Sequence, residues 1–326
     1  LHTWEETIMK TRLLAILLTS AMAIGMLTGC GSSDTPADAA DSNAGDTAEA
    51  ADETAGDTAD DTTEGGDLLA KCQASGSITI GFANEVPYAY EDENGELKGE
   101  AVDIAREALA NMGITDIKGE LVEFSSLIPG LQAERFDMIT AGMAVTAERA
   151  EEVDFCKPEI NYGEAALVAT GNPKNIKSYA DIAADPSIMV AIPGGVTEYD
   201  YLIGSGVAES QIQIVNDLSA AIQTLQTGRC DAVCASNTSL TSALATTDSD
   251  GVELVGDFEQ TVINGVSTVM YGASAVRKGE SAFVEAFNAE LQKMEDSGEL
   301  QKLLEANGFN EYNLPNGITV EEIISQ

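Results

Sequence analysis

From Ser77 onward short β-type runs alternate with helix-type periodicity, and partway along the chain the alternation starts again. Strands repeat every two residues and helices about every 3.6, so the switch between the two periods restricts the folds open to the chain. Ile78 to Ala83 is a strand on this reading, and Ala101, Ile104, Ala105, Ala108, Leu109 and Met112 mark one face of the helix that follows. Next come a strand at Glu120 to Phe124, a helix opened by Ser125 or Ser126, a strand at Phe136 to Ala141 and a turn or helix capped by Thr146. Such a series predicts parallel α/β architecture. A second series begins with a helix at Ser178 to Ala184. It continues through strands at Ile188 to Ile192, Gln211 to Val215 and Cys230 to Ala235, with a Gly194-Gly195 turn and a helix at Leu218 to Gln226 between them. Two lobes are therefore expected, and 326 residues with 44% hydrophobic content are more than one compact unit usually holds. Strand-like runs at Val252 to Val255 and Val266 to Tyr271 precede amphipathic helices at Ser281 to Glu295 and Gly298 to Asn307. No apolar run long enough to span a bilayer follows.

The amino end has a different character. A start at Met9 gives Lys10 and Arg12 as a positive region, then the apolar run Leu13 to Met26 and the tetrapeptide Leu27-Thr28-Gly29-Cys30. This reads as an export signal. It resembles the lipobox of bacterial lipoproteins, which implies cleavage before Cys30 and a lipid anchor on that residue, with Leu1 to Ile8 as upstream residues. Gly31 to Asp67 contains twelve acidic residues, no basic residue and no large apolar side chain, so it cannot bury a core. As a flexible tether its span is roughly 35 Å, which favours a Gram-positive wall space over a periplasm. Residues 1–29 are thus read as upstream residues and signal peptide, 30–67 as lipidated cysteine and tether, 68–160 with 265–326 as one lobe, and 161–264 as the other.

With 55 acidic against 16 basic residues the formal net charge is -39, which disfavours nucleic acid and anionic membrane surfaces as partners. The single histidine, His2, lies in the segment expected to be removed, so the mature chain lacks imidazole for acid–base chemistry or metal ligation. No catalytic residue, metal site or cofactor is expected. Cys230 and Cys234, read as one extended strand, stand too far apart to bridge, and Cys72 and Cys156 pair only if the fold brings them together.

Three stretches carry a resemblance to the family-3 extracellular solute-binding proteins of ABC importers. They are Gly81-Phe82-Ala83-Asn84-Glu85-Val86-Pro87-Tyr88-Ala89-Tyr90, then Asn94 to Ala105 with Gly99-Glu100-Ala101-Val102-Asp103, and Arg135-Phe136-Asp137-Met138 leading to Gly142-Met143-Ala144-Val145-Thr146-Ala147-Glu148-Arg149. Within the family, Phe82 to Tyr88, Glu123 to Gly130 and Gly163 to Ala166 look most like the ectoine and hydroxyectoine binders. The resemblance implies the type II periplasmic-binding-protein fold: two α/β lobes and two hinge-strand crossings, here near Ile160 to Glu164 and Thr261 to Val266. A ligand would bind by cleft closure. It also implies a monomer that delivers its solute to the permease subunits of an importer outside the cytoplasm.

Function then rests on cleft residues. Arg149 offers a planar fork for a ligand carboxylate, and the resemblance puts an arginine at this motif position. Thr146 either contacts the ligand or caps a helix. Glu85, Tyr88 and Phe124 form a cup in which a carboxylate accepts N–H groups and aromatic faces stack on a delocalised cation. Ala144 stands where the ectoine binders lead one to expect a third aromatic wall, so the ligand is larger than ectoine or another residue fills the gap. Val196 and Thr197, in the Gly194-Gly195 turn, bring backbone N–H groups towards the ligand or simply make a tight turn. Ser236 and Asn237 stand where many amino-acid binders have an acid, which tilts the reading towards ectoines over a standard α-amino acid. A polar or cationic amino acid is the alternative, and a sensor or a dehydratase-like enzyme on the same fold is the alternative of another class.

Overall fold

Ile78 and Ile80 alternate with less buried neighbours and are fully enclosed, which seats Ser77–Phe82 as an inner strand of the first of two five-stranded sheets. The structure, a computed structural model, describes residues 67–246, 250–263 and 265–326. The export signal, Cys30 and the tether up to residue 66 lie outside the described residues. The first sheet runs Asp116–Leu121, Ser77–Phe82, Met138–Ile139, Ala275–Arg277, Val153–Phe155. Its first three strands are parallel, and Ala275–Arg277 is antiparallel to both of its neighbours. The second sheet repeats the plan in the order Ile212–Val215, Val190–Pro193, Ala232–Ser236, Glu164–Ala169, Val252–Leu254, the first three again parallel. Glu164–Ala169 is antiparallel to both of its neighbours. Both sheets are therefore mixed where the alternation predicted parallel strands, because chain passing between lobes joins each sheet from the opposite direction.

This is the type II periplasmic-binding-protein fold. One crossing is Ile160–Tyr162, which pairs antiparallel with Met270–Gly272. The return crossing is thus Met270–Gly272; the Thr261 to Val266 segment instead enters a hairpin of Val262–Ile263 and Val266–Ser267. Four boundaries also differ from expectation. The strand predicted at Glu120 to Phe124 is Asp116–Leu121, an edge strand whose exposed acids and lysine hide the β pattern, and Phe124 instead opens a 3₁₀ turn. The Phe136 to Ala141 strand pairs only over Met138–Ile139. Cys230 precedes the strand Ala232–Ser236, and Val266 to Tyr271 is divided between two short strands. All four described cysteines are buried and free, and burial pushes the Cys72 thiol up to about 11.

Helices cover each sheet. Ser281–Ser297 buries Phe283, Phe287, Leu291 and Met294, spaced so that one helical stripe faces the core. In the second lobe Tyr179 is buried, with its ring edge-on to Phe258 at 5.1 Å. Among the described residues no helix is long and apolar enough to cross a membrane.

Candidate functional site

The carboxyl ends of the parallel strands in both sheets face a common cleft, the position where open α/β sheets place ligands. From the first lobe, Ser77–Phe82 leads to Glu85 and Tyr88, Asp116–Leu121 leads to Phe124, and Met138–Ile139 leads to Ala144 and Arg149. From the second, Val190–Pro193 leads to Val196, Thr197 and Glu198, and Ala232–Ser236 ends at Ser236. A cavity of about 40 Å³ is lined by Glu85, Tyr88, Phe124, Arg149, Glu198 and Ser236 among others, and Ala144, Val196 and Thr197 also border it. It opens between two larger clefts of about 390 and 650 Å³. A space of 40 Å³ holds little more than a water molecule, so a bound solute holds the lobes further apart than this.

Arg149 owes its position to its helix. Thr146 Oγ1 accepts from the Arg149 backbone N–H at 3.1 Å and caps the helix Ala147–Glu152, so Thr146 acts through Arg149 and borders only the outer cleft. The guanidinium donates to Ala144 O at 2.8 Å and to Gly195 O of the other lobe at 2.9 Å. Its carbon lies 5.5 Å from the centre of the Phe124 ring, a cation–π contact. A guanidinium has five N–H groups, so others remain for a carboxylate. Burial lowers the Arg149 pKa from its usual range but leaves the group charged.

Glu85 and Tyr88 are joined through the second lobe. The Tyr88 hydroxyl donates to Ser236 Oγ at 2.9 Å and lies 2.6 Å from Thr238 Oγ1. Ser236 Oγ donates to Ser239 Oγ at 2.9 Å, and Ser239 Oγ donates to Glu85 Oε1 at 2.5 Å. This hydroxyl relay runs from lobe 1 to lobe 2 and back, so it stabilises the closed arrangement. Burial raises the Glu85 pKa, and the Ser239 hydrogen bond partly offsets this. The Tyr88 ring needs Gly142: that residue has φ +59°, and a Cβ there would stand 2.5 Å from Tyr88 Cδ1.

Ala144 gives one wall only a methyl group. Tyr162 borders the same cavity, donates its hydroxyl to Gly142 O at 3.0 Å and packs on Tyr88 with centroids 5.4 Å apart. It supplies an aromatic face that the sequence reading did not include. Asn237 is exposed and absent from the cavity wall; it is the first residue of the helix Asn237–Thr246, and its backbone N–H donates to Gly163 O at 2.8 Å. The sequence reading also missed Thr238, Ser239, Glu164 and Glu198 as site residues. A run of three hydroxyl residues, Ser236, Thr238 and Ser239, just after a strand was the available signal for two of them.

Closure brings Gly195 against the first lobe. Its φ is +79°, and a Cβ there would lie 3.0 Å from Ser125 Cα. Gly195→Ala is expected to destabilise the closed form by about 1–3 kcal/mol and to weaken solute binding about tenfold or more. Calorimetric titration, with scattering to follow closure, checks this; unchanged affinity means the lobes do not meet here.

Among the described residues no cluster of three or more His, Cys, Asp or Glu side chains is arranged to hold a metal ion. Residues 78–309 match the model of the bacterial extracellular solute-binding proteins, family 3. The chain is 39% identical over 243 residues to the probable amino-acid ABC transporter periplasmic-binding protein y4tE of Sinorhizobium fredii (strain NBRC 101917 / NGR234), covering 74% of this chain and 80% of that protein. It is 25% identical over 296 residues to the ABC transporter glutamine-binding protein GlnH of Bacillus subtilis (strain 168), covering 90% and 95%. Among solved structures, EhuB in complex with hydroxyectoine superposes with a TM-score of 0.73 at 32% identity, covering 80% of this chain and 98% of that one. An ancestral arginine-binding protein bound to arginine gives 0.62 at 30% identity, covering 72% and 98%. With the fold, the cleft and these matches in agreement, the chain belongs to the bacterial extracellular solute-binding proteins of family 3, as an amino-acid-type substrate-binding protein of an ABC importer.

Proposed function

We propose that the cleft captures a small zwitterionic solute, with Arg149 taking its carboxylate and Glu85 its cationic N–H group, and that the closed form presents it to the importer's permease subunits. One observation carries this reading: Arg149 and Glu85 border a single small cavity between the lobes, walled by Tyr88 and Phe124. Opposite charges on the two walls match a ligand with both signs of charge, and an aromatic face attracts a delocalised cation. Ectoine and hydroxyectoine match the charges and aromatic faces of Glu85, Tyr88, Phe124 and Arg149, and the likeness to hydroxyectoine-bound EhuB supports them. A polar or cationic amino acid is the second reading, favoured by the missing wall at Ala144 and by a further carboxylate, Glu198, in the cavity.

In this reading the protein is a monomer held outside the cytoplasm by a lipid on Cys30, with residues 31–67 as tether, 68–160 and 265–326 as lobe 1, and 161–264 as lobe 2. The test is a thermal-shift screen against ectoines, betaines and the amino acids, since a ligand selective for the folded state raises the melting temperature. At a hundredfold excess over Kd the stabilisation is about 2.7 kcal/mol. A shift with ectoines alone selects the first reading, and a shift with amino acids alone the second. No shift with any zwitterion overturns both.

A further inference from the structure

Glu198 borders the cavity shared by Glu85 and Arg149, is only 6% exposed, and its Oε2 is fully buried without a hydrogen-bond partner among the described residues. Behind it stands Glu164, 2% exposed, at the start of the strand that leaves the hinge. Glu164 is held from several sides. Its Oε2 accepts from the Tyr179 hydroxyl at 2.8 Å, its backbone N–H donates to Gln260 Oε1 at 2.8 Å, and its carbonyl accepts from Gln260 Nε2 at 2.7 Å. Glu164 Oε1 is also buried without a partner.

A buried acid in a ligand cleft is held either by a proton or by a compensating cation, because removing an unpaired carboxylate from water costs several kcal/mol. Arg149 does not supply it by contact, since its guanidinium hydrogen-bonds are to the carbonyls of Ala144 and Gly195. Burial raises both carboxyls, Glu198 to about 7 and Glu164 well above the usual carboxylate range, with the charge of Glu198 adding to its burial. Around the cavity two carboxyl side chains, Glu85 and Glu198, thus stand against one guanidinium, Arg149. A solute with one carboxylate and one cationic group leaves that surplus uncompensated, whereas a solute with a second cationic group neutralises it.

We propose that Glu198, positioned by Glu164, is a second cation subsite, distinct from Glu85, through which the cleft selects a solute bearing one carboxylate and two separate ammonium or guanidinium groups. The inference rests on the zwitterion reading above and narrows it. Ala144 agrees with it: its methyl group takes less of the cleft than an aromatic wall would.

The test titrates the purified full-length protein at pH 7.5 with L-arginine and L-ornithine, which carry two cationic groups, and with ectoine and L-glutamine, which carry one. Wild type is expected to bind the two-cation solutes at least tenfold more tightly. Glu198→Gln is expected to erase that preference by weakening the two-cation solutes at least tenfold more than the one-cation solutes, and Glu164→Gln to reduce it in part. A preference that survives Glu198→Gln, or a wild type that prefers the one-cation solutes, overturns the subsite and leaves the zwitterion reading standing. Failure of wild type to bind any of the four overturns both. If Glu198→Gln loses every ligand, Glu198→Asp decides: a retained two-cation preference supports the subsite, and its loss with one-cation binding intact overturns it.

Discussion

Arg149→Ala is expected to weaken solute binding by roughly 30-fold to several thousandfold, the effect of leaving a buried charge without its partner at a cost of about 2–5 kcal/mol. The geometry makes the loss large because Arg149 has three functions. It offers N–H groups to a carboxylate, it covers the Phe124 ring at 5.5 Å, and it ties the lobes together through Gly195 O. Arg149→Lys recovers little, since an ammonium on a flexible stem cannot reproduce a planar fork that spans Ala144 O, Gly195 O and a ligand. Arg135→Ala is the control. Its guanidinium bonds Glu120 at 2.8 Å on the exposed surface, and such a pair is worth at most about 1 kcal/mol. Calorimetric titration with whichever solute the screen selects measures all three. Equal binding by Arg149→Ala and Arg135→Ala removes Arg149 from the site.

The two halves of the site differed in how legible they were. Glu85, Tyr88, Phe124 and Arg149 sit in local motifs at strand ends of one lobe, where chain order and spacing suffice to bring them to one edge. Their partners come from the other lobe. The Ser239 to Glu85 hydrogen bond spans 154 residues and the Tyr88 to Ser236 bond 148, and no local pattern encodes such pairings. Glu198 was equally hidden: in so acidic a chain one more glutamate reads as solvated surface, and only its burial at 6% exposure distinguishes it. Asn237 reads differently: it follows a strand as a ligand residue would, yet it is the exposed first residue of the helix Asn237–Thr246 and stands outside the cavity wall. The strand order was legible as far as the βαβ repeats reached. The return crossing was not, because Met270–Gly272 is three residues long and its pairing with Ile160–Tyr162 is set by the second lobe's closure, not by its own hydrophobic pattern.

The first lobe contains a second acid pair, away from the cavity wall, and it governs the other large expected effect. Glu100 and Glu159 are both fully buried; neither oxygen of Glu100 has a hydrogen-bond partner among the described residues, and the Ser274 Oγ contacts to Glu159 are long, at 3.4 and 3.5 Å. Burial raises Glu159 from the ordinary 4.5 to about 8, and Glu100 is raised well above the usual carboxylate range, first by burial and then by the charge of Glu159. A carboxyl whose pKa is higher in the folded chain than in the unfolded chain holds its proton more firmly when folded. The stability linked to it is complete below about pH 4.5, falls as pH rises, and is lost by the time pH passes about 8. The melting temperature is therefore expected to drop between pH 5 and pH 8. Glu159→Gln keeps the volume and the Ser274 contact but cannot ionise, so it should remove on the order of 3 kcal/mol of that drop at pH 7, roughly 5–10 °C in a domain of this size. Any slope left in the variant belongs to the remaining buried carboxyls, Glu85, Glu100, Glu164 and Glu198, which shift in the same direction. Parallel melting curves for wild type and Glu159→Gln from pH 5 to pH 8 would mean that Glu159 reaches water in the folded protein, and that the acid pair exerts no hold on the stability of this lobe.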